Sequence, residues 1–231
     1  MVRGSSFRPL RSIRSGMGKS STRLSAVTVL CALATAVMTM AAADYVPARR
    51  VAGDIPNPPV KAIGWVEAVV DLEIDSAGGV VKATGLRATP GGLDFVLPSL
   101  ANWRFRPAND GEHAAASHVL VAAMFRPAQL FDPAGGSPAE TLKDPVHELP
   151  APLSMKRPAY PIKVVGNKSV LVEVLIRADG KVDKATVVTP TSGFDGAALT
   201  AAQGWTFRAP VYKDKAVAGI AYLIFGFRMP V

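Results

Sequence analysis

The residues with the most reactive side chains stand far apart or in spacings that suit structure better than chemistry. The three histidines are His113, His118 and His147. His113 and His118 are five apart and bracket AAAS. Paired histidine ligands on a helix or a strand need a spacing that returns to the same face, and five does neither. Ser154, Ser169 and Ser192 stand outside any strand–turn–helix nucleophile elbow. The glycine-rich SAGGV (residues 76–80) lacks the lysine and following helix of a phosphate loop, so a β-turn is expected there. Asp179 precedes a glycine in ADGK, a turn position, and Asp195 stands where a helix should begin, ready to cap it. Asp214 lies between Lys213 and Lys215 in a solvated loop. The expectation is therefore a non-enzyme with no metal and no cofactor.

Two aromatic phrases carry more information. LANWRFRPA (residues 100–108) and AQGWTFRAP (202–210) both contain Trp-x-Phe-Arg and a proline shortly after. They mark a longer repeat. At an offset of 102, PVKAIG (59–64) lies over PIKVVG (161–166), Gly78 over Gly180, and KAT (82–84) over KAT (184–186). Trp103 falls on Trp205, Phe105 on Phe207, and Phe125-Arg126 on Phe227-Arg228. About 20 of about 69 positions are identical without a gap, well above chance for such compositions.

These phrases need elements to hold them. In the second copy Val170, Val172, Val174 and Ile176 alternate along one face of a strand. ADGK turns the chain back, and Val182, Ala185, Val187 and Val188 suit the return strand. Ala198, Leu199 and Ala202 give a helix a small apolar stripe, and Gly204 ends it. Trp205 and Phe207, two apart, share one face of an extended segment, with Arg208 on the other. A long β-prone run to the end of the chain returns to the sheet. The first copy repeats this order, with FVLPSLAN in place of the helix and Pro98 expected in its first turn. The predicted fold is α+β: two tandem small modules, each a three-stranded antiparallel sheet with a helix packed on one face. Trp103, Phe105, Trp205 and Phe207 are predicted core residues that lock helix to sheet. The arginines after them, Arg106 and Arg208, are expected at the surface.

The remaining segments fix the setting. The chain has 231 residues, 49% hydrophobic and 19% charged, which rules out a disordered chain. Its formal charge of +8 invites a nucleic-acid partner, but residues 1–43 hold six of the 26 basic residues and no acid. The remainder is nearly balanced, 20 basic against 18 acidic, so no nucleic-acid binding is expected. Residues 24–43 are uncharged and apolar, follow a basic stretch and end in three alanines. That pattern suits a signal peptide, with a membrane anchor as the alternative. The only cysteine, Cys31, lies inside this run, after a leucine rather than the small residue of a lipidation site. The expected organisation is 1–43 signal peptide or N-terminal anchor, 44–58 short linker, 59–128 first module, 129–152 linker rich in Pro, Gly and acid, and 153–231 second module. A helical turn is conceivable in SPAETLK (137–143).

The second copy resembles the C-terminal domain of TonB family proteins. The resemblance rests on RPAYP (157–161), Gly166, VEVLIRADGKV (172–182), FDGAAL (194–199), GWTFRAP (204–210) and a closing FGFRM, in order, over about 75 residues. The first copy looks like a diverged member, keeping the glycine turn and NWRFRPA but reading NPP where the second has AYP. The resemblance implies a periplasmic interaction module whose last strand pairs with a peptide of an outer-membrane TonB-dependent receptor. On that basis the expected partner-binding residues are Arg157 and Tyr160 in the entry segment, and Ala221, Tyr222, Ile224, Phe225, Phe227 and Arg228 on the last strand as an exposed edge. Three features depart from energy-transducing members: no long spacer separates leader and domain, residues 24–43 contain no histidine, and Arg157 stands where those members have a Gln-containing stretch. The expected partners are thus envelope proteins, with self-association open. The membrane is met only through residues 24–43 if these are retained. The alternative is a structural or scaffolding envelope protein whose two modules pair with each other.

Overall fold

The computed structural model describes residues 45–129 and 148–230, together with 136–138, 142 and 146. The leader expected at 1–43 and most of SPAETLK lie outside the described residues. The strands are β1 (Arg49–Ala52), β2 (Val66–Ile74) and β3 (Val80–Ala88), followed by helix α1 (Gly92–Leu100). Then come β4 (Arg104–Arg106), β5 (Ala108–Asn109), β6 (Ala114–Ala115), β7 (Ser117–Phe125), β8 (Gly136–Pro138) and β9 (Ala151–Lys156). The second series is β10 (Lys168–Ile176), β11 (Val182–Val187), helix α2 (Asp195–Gln203), β12 (Thr206–Arg208), β13 (Val211–Tyr212), β14 (Lys215–Ala216) and β15 (Gly219–Phe227).

The α+β class is as expected, but the separate three-stranded sheets are not. The long strands form one six-stranded sheet in the order β11-β10-β15-β7-β2-β3. Its outer pairs are antiparallel hairpins, and its middle is a parallel pair, β15 beside β7, in register from Ala221↔Leu120 to Gly226↔Phe125. The order is the same read from either edge, strand for strand at the offset of 102. The helices lie on opposite faces. Side chains of α2 share a core with Leu120, Ala122, Met124, Leu223, Phe225 and Phe227. Those of α1 share the other with Val119, Val121, Ala123, Tyr222 and Ile224. Alternate residues of β7 and β15 thus feed two cores, one on each face.

The local devices recur at equivalent places. Gly78 and Gly180 make the hairpin turns at φ +86° and +81°, and a Cβ on either would sit 1.9 Å from the carbonyl oxygen of Phe105 or Phe207. Only glycine fits such a turn. Trp103 and Trp205 are fully buried, and their indole N–H groups donate to Asp54 O at 2.8 Å and Lys156 O at 3.0 Å. Phe105 and Phe207 are buried beside them, with Arg106 and Arg208 exposed. Each Trp-x-Phe strand pairs with the segment ahead of its own series: β4 with β1, and β12 with β9.

Three local expectations need correction. Asp195 is the first residue of α2 and does not cap it; its carboxylate accepts from the Thr191 N–H at 2.8 Å, upstream, and so braces the entering loop. Pro98 lies in the C-terminal half of α1, not its first turn. Pro98 and Asp94, four residues apart, share the exposed side of the helix, where the loss of one intrahelical hydrogen bond costs least. Gly136–Pro138 is a strand paired with β9, so SPAETLK does not begin in a helical turn.

Candidate partner-binding interface

The last strand is the centre of the sheet rather than an edge. All nine residues of β15 are buried, and it has β10 on one side and β7 on the other. Ala221, Phe225 and Phe227 point to the α2 face, Tyr222 and Ile224 to the α1 face. The expectation of a free edge at β15 is therefore corrected: hydrophobic residues on both faces of AYLIFGF belong to an internal strand, which buries both faces. The true edges are β3 and β11. Both mix exposed with half-buried residues and carry exposed charge, Lys82 on one, Asp183 and Lys184 on the other, a common protection of open strand edges.

Each half of the sheet has a face its own helix does not cover, and there the buried acids sit. Glu67, Asp71 and Glu173 are all under 9% exposed. Glu173 accepts from the Arg49 Nε at 3.0 Å and from the Tyr222 hydroxyl at 2.9 Å. The same hydroxyl accepts from the Arg50 backbone N–H at 2.7 Å. Burial pushes the Tyr222 phenol well above its ordinary range, so it remains a donor. On the opposite face, Glu67 binds Arg87 at 2.9 Å and Arg157 at 2.9 Å. Asp71 meets the His118 Nδ1 at 3.0 Å. That hydrogen bond, with burial opposing it, raises the His118 pKa. Arg49 and Arg157 come from the segments ahead of each series and cross to the other half of the sheet. Such clamps are costly to break, because the carboxylate left behind is buried.

The expected site residues are thus divided. Arg157 is committed to Glu67 and stacks over the Trp65 ring at 4.8 Å. Tyr160 is half-buried: its hydroxyl donates to Gly166 O at 2.9 Å, and its ring packs edge-on against Phe194. One side of it lines an open groove of about 500 Å³ with Arg126, Ile162, Val164 and Met229. Arg228 leaves β15 and donates to the carbonyls of Val60 and Ala62, 2.6 Å each. Tyr160 and Arg228 therefore lie at the end of the sheet where β15 finishes, while the β15 side chains before them are interior. Sequence reasoning missed Glu67, Asp71 and Glu173, the arginines Arg87 and Arg49, and the pairing of Arg157 with Glu67. The signal was present as acids interrupting the apolar runs VEAVVDLEI and VLVEVLI.

Among the described residues no group of three His, Cys, Asp or Glu side chains converges as metal ligands would. Residues 156–229 match the family model of the Gram-negative bacterial TonB protein C-terminal. The matched TonB C-terminal segment runs from the last residue of β9 through β15. It holds the Tyr160 entry segment, the Gly180 turn, α2 and the Trp205–Phe207 plug. The first series, with α1 and Trp103, lies outside it. No curated protein matches the chain.

Proposed function

We propose that this is a non-catalytic periplasmic protein of the TonB kind, built from two tandem modules (59–128 and 153–231) that pair with each other, and that its role is structural or scaffolding. The observation that carries this reading is the placement of β15 between β10 and β7. TonB C-terminal domains work by contact with envelope proteins such as outer-membrane receptors. Here the strand that would take the receptor peptide already has a neighbour from its own chain. The ionisable groups support a non-catalytic role, since each buried acid is tied to a basic or hydroxyl partner rather than poised beside a nucleophile. Export to the periplasm rests on residues 24–43.

A second reading keeps receptor binding in energy-coupled transport. The family match spans the whole of β15, and the groove beside Tyr160 stands open at its end. In this reading β15 exchanges β7 for a partner strand, a parallel pair being slightly weaker per residue than an antiparallel one. Arg157, Tyr160, Ala221, Tyr222, Ile224, Phe225, Phe227 and Arg228 are then the contact residues. Backbone NMR with a receptor peptide separates the two. The scaffolding reading expects β15 amide signals to stay in place at saturating peptide. Shifts along both β15 and β7 would overturn it in favour of exchange.

A further inference from the structure

One end of the sheet displays an apolar surface that strand pairing does not use. β2 and β10 run parallel and enter the sheet at the same end, each behind a loop, PVKAIG at 59–64 and PIKVVG at 161–166. Val60, Ile63, Ile162 and Val165 are between 72% and 99% exposed, and Met229 is exposed between the loops. These are equivalent positions: Val60 and Ile162 precede Lys61 and Lys163, and Ile63 and Val165 follow two residues later.

The loops are held as one surface. Arg228 takes the carbonyls of Val60 and Ala62, and the Gln129 side-chain amide takes that of Ile63 at 3.3 Å. The Met229 N–H donates to the Asn167 side chain at 2.8 Å, tying the chain end to the second loop. Three carbonyls of the first loop, and that of Gly166 in the second through the Tyr160 hydroxyl, are thus satisfied from within, while the aliphatic side chains are exposed. That combination lowers the cost of entering an apolar phase, where an unpaired carbonyl is expensive. Neither loop carries an acid; Lys61, Lys163 and Lys168 are exposed around the aliphatics. Of the neighbouring carboxylates, Glu67 is buried between two arginines and Asp195 is held by the Thr191 N–H.

We propose that this end of the molecule docks on the surface of an anionic lipid bilayer, with the four branched aliphatics entering the interface and the lysines at headgroup level. Protruding aliphatics ringed by lysines suit a bilayer interface. A protein partner would be expected to meet aromatic or arginine anchors in a pocket, and Val is scarce among such anchors. Membrane contact would then not be confined to residues 24–43. The proposal does not depend on whether β15 receives a partner.

The test uses the full chain with Cys31→Ser and a single cysteine, Ile162→Cys, carrying an NBD fluorophore. The same label at Lys215→Cys, on the short β14 hairpin, is the control. Vesicles of phosphatidylcholine, alone or mixed with phosphatidylglycerol, contain a doxyl-quencher lipid. The expected result is a blue shift and quenching at position 162 that require phosphatidylglycerol, with none at position 215. Val60→Ser with Ile63→Ser and Val165→Ser should weaken the lipid dependence at least roughly tenfold. Lys61→Glu with Lys163→Glu should abolish the preference for phosphatidylglycerol while leaving the far-UV CD unchanged. A label at 162 that stays in water with every vesicle overturns the proposal. So does shielding that rises with protein concentration without lipid, which would assign this surface to self-association, or shielding by added envelope protein alone.

Discussion

Replacing Trp103 with alanine should destabilise the whole described unit, including the half that does not contain it. The indole is fully buried on the α1 face of the sheet and touches both halves: it lies 5.8 Å edge-on from Tyr222 on β15 and 6.2 Å from Phe105. Its N–H donates to the Asp54 carbonyl, but Asp54 is exposed, so that oxygen regains water and adds little to the loss. Most of the cost is the cavity, about 3–5 kcal/mol for a large buried aromatic. With a urea m-value of about 2 kcal/mol/M, the midpoint should fall by roughly 1.5–2.5 M. The assay is urea unfolding in a Trp65→Phe background, so that Trp205 is the only remaining indole in the variant. Trp205 sits in the other half, on the other face. One six-stranded sheet predicts that its fluorescence midpoint falls together with the far-UV CD midpoint. A Trp205 midpoint that stays put while CD splits into two steps would refute the reasoning, because the halves would then be unfolding separately.

Gly226→Ala should cost about 1–3 kcal/mol by overpacking, seen as a lower thermal midpoint. The new Cβ would lie 2.1 Å from the Phe125 Cδ1, and that ring is fixed edge-on against Phe95 at 5.1 Å; a neutral effect would mean that β7 and β15 are not neighbours. Tyr222→Phe keeps the ring but strips the hydroxyl from Glu173 and from the Arg50 N–H, and should lower the urea midpoint by an amount worth about 1–3 kcal/mol. An unchanged midpoint would place that hydroxyl in water. His118 titrates above its ordinary value because protonation strengthens its bond to Asp71. Its stabilisation is complete below about pH 6.5 and is lost as pH rises through the higher folded value. NMR titration of the ring should show the raised pKa, and His118→Gln should remove that slope from the stability profile.

Much of each half was legible locally. The alternating valines of β10, the positive-φ glycine at 180 and the Trp-x-Phe plug are all short-range patterns, and the structure places them as read. What was not legible is long-range. A parallel neighbour leaves no turn in the sequence to announce it, so the pairing of the two modules stood only as an alternative and its strands, β7 and β15, went unread, although the two-sided apolar runs VLVAAMF and AYLIFGF are what an internal strand requires. The buried acids were hidden for the same reason, since Arg49 reaches Glu173 from 124 residues away and Arg157 reaches Glu67 from 90. Pro98 was misplaced because its tolerance depends on which side of α1 meets solvent, a tertiary fact.

The central claim is that β15 is paired on both sides within one chain. Gly226 O accepts from the Arg126 N–H at 2.8 Å, so the two-residue alternation turns the amides of Tyr222 and Ile224 toward β7 as well. Those of Ala221, Leu223 and Phe225 turn toward β10. Residue-resolved hydrogen exchange on the full chain reads the two sets side by side. The account predicts that the amides of Tyr222, Ile224 and Gly226 are as strongly protected as those of Ala221, Leu223 and Phe225. Fast exchange confined to Tyr222, Ile224 and Gly226 would contradict it and return β15 to the edge of the sheet.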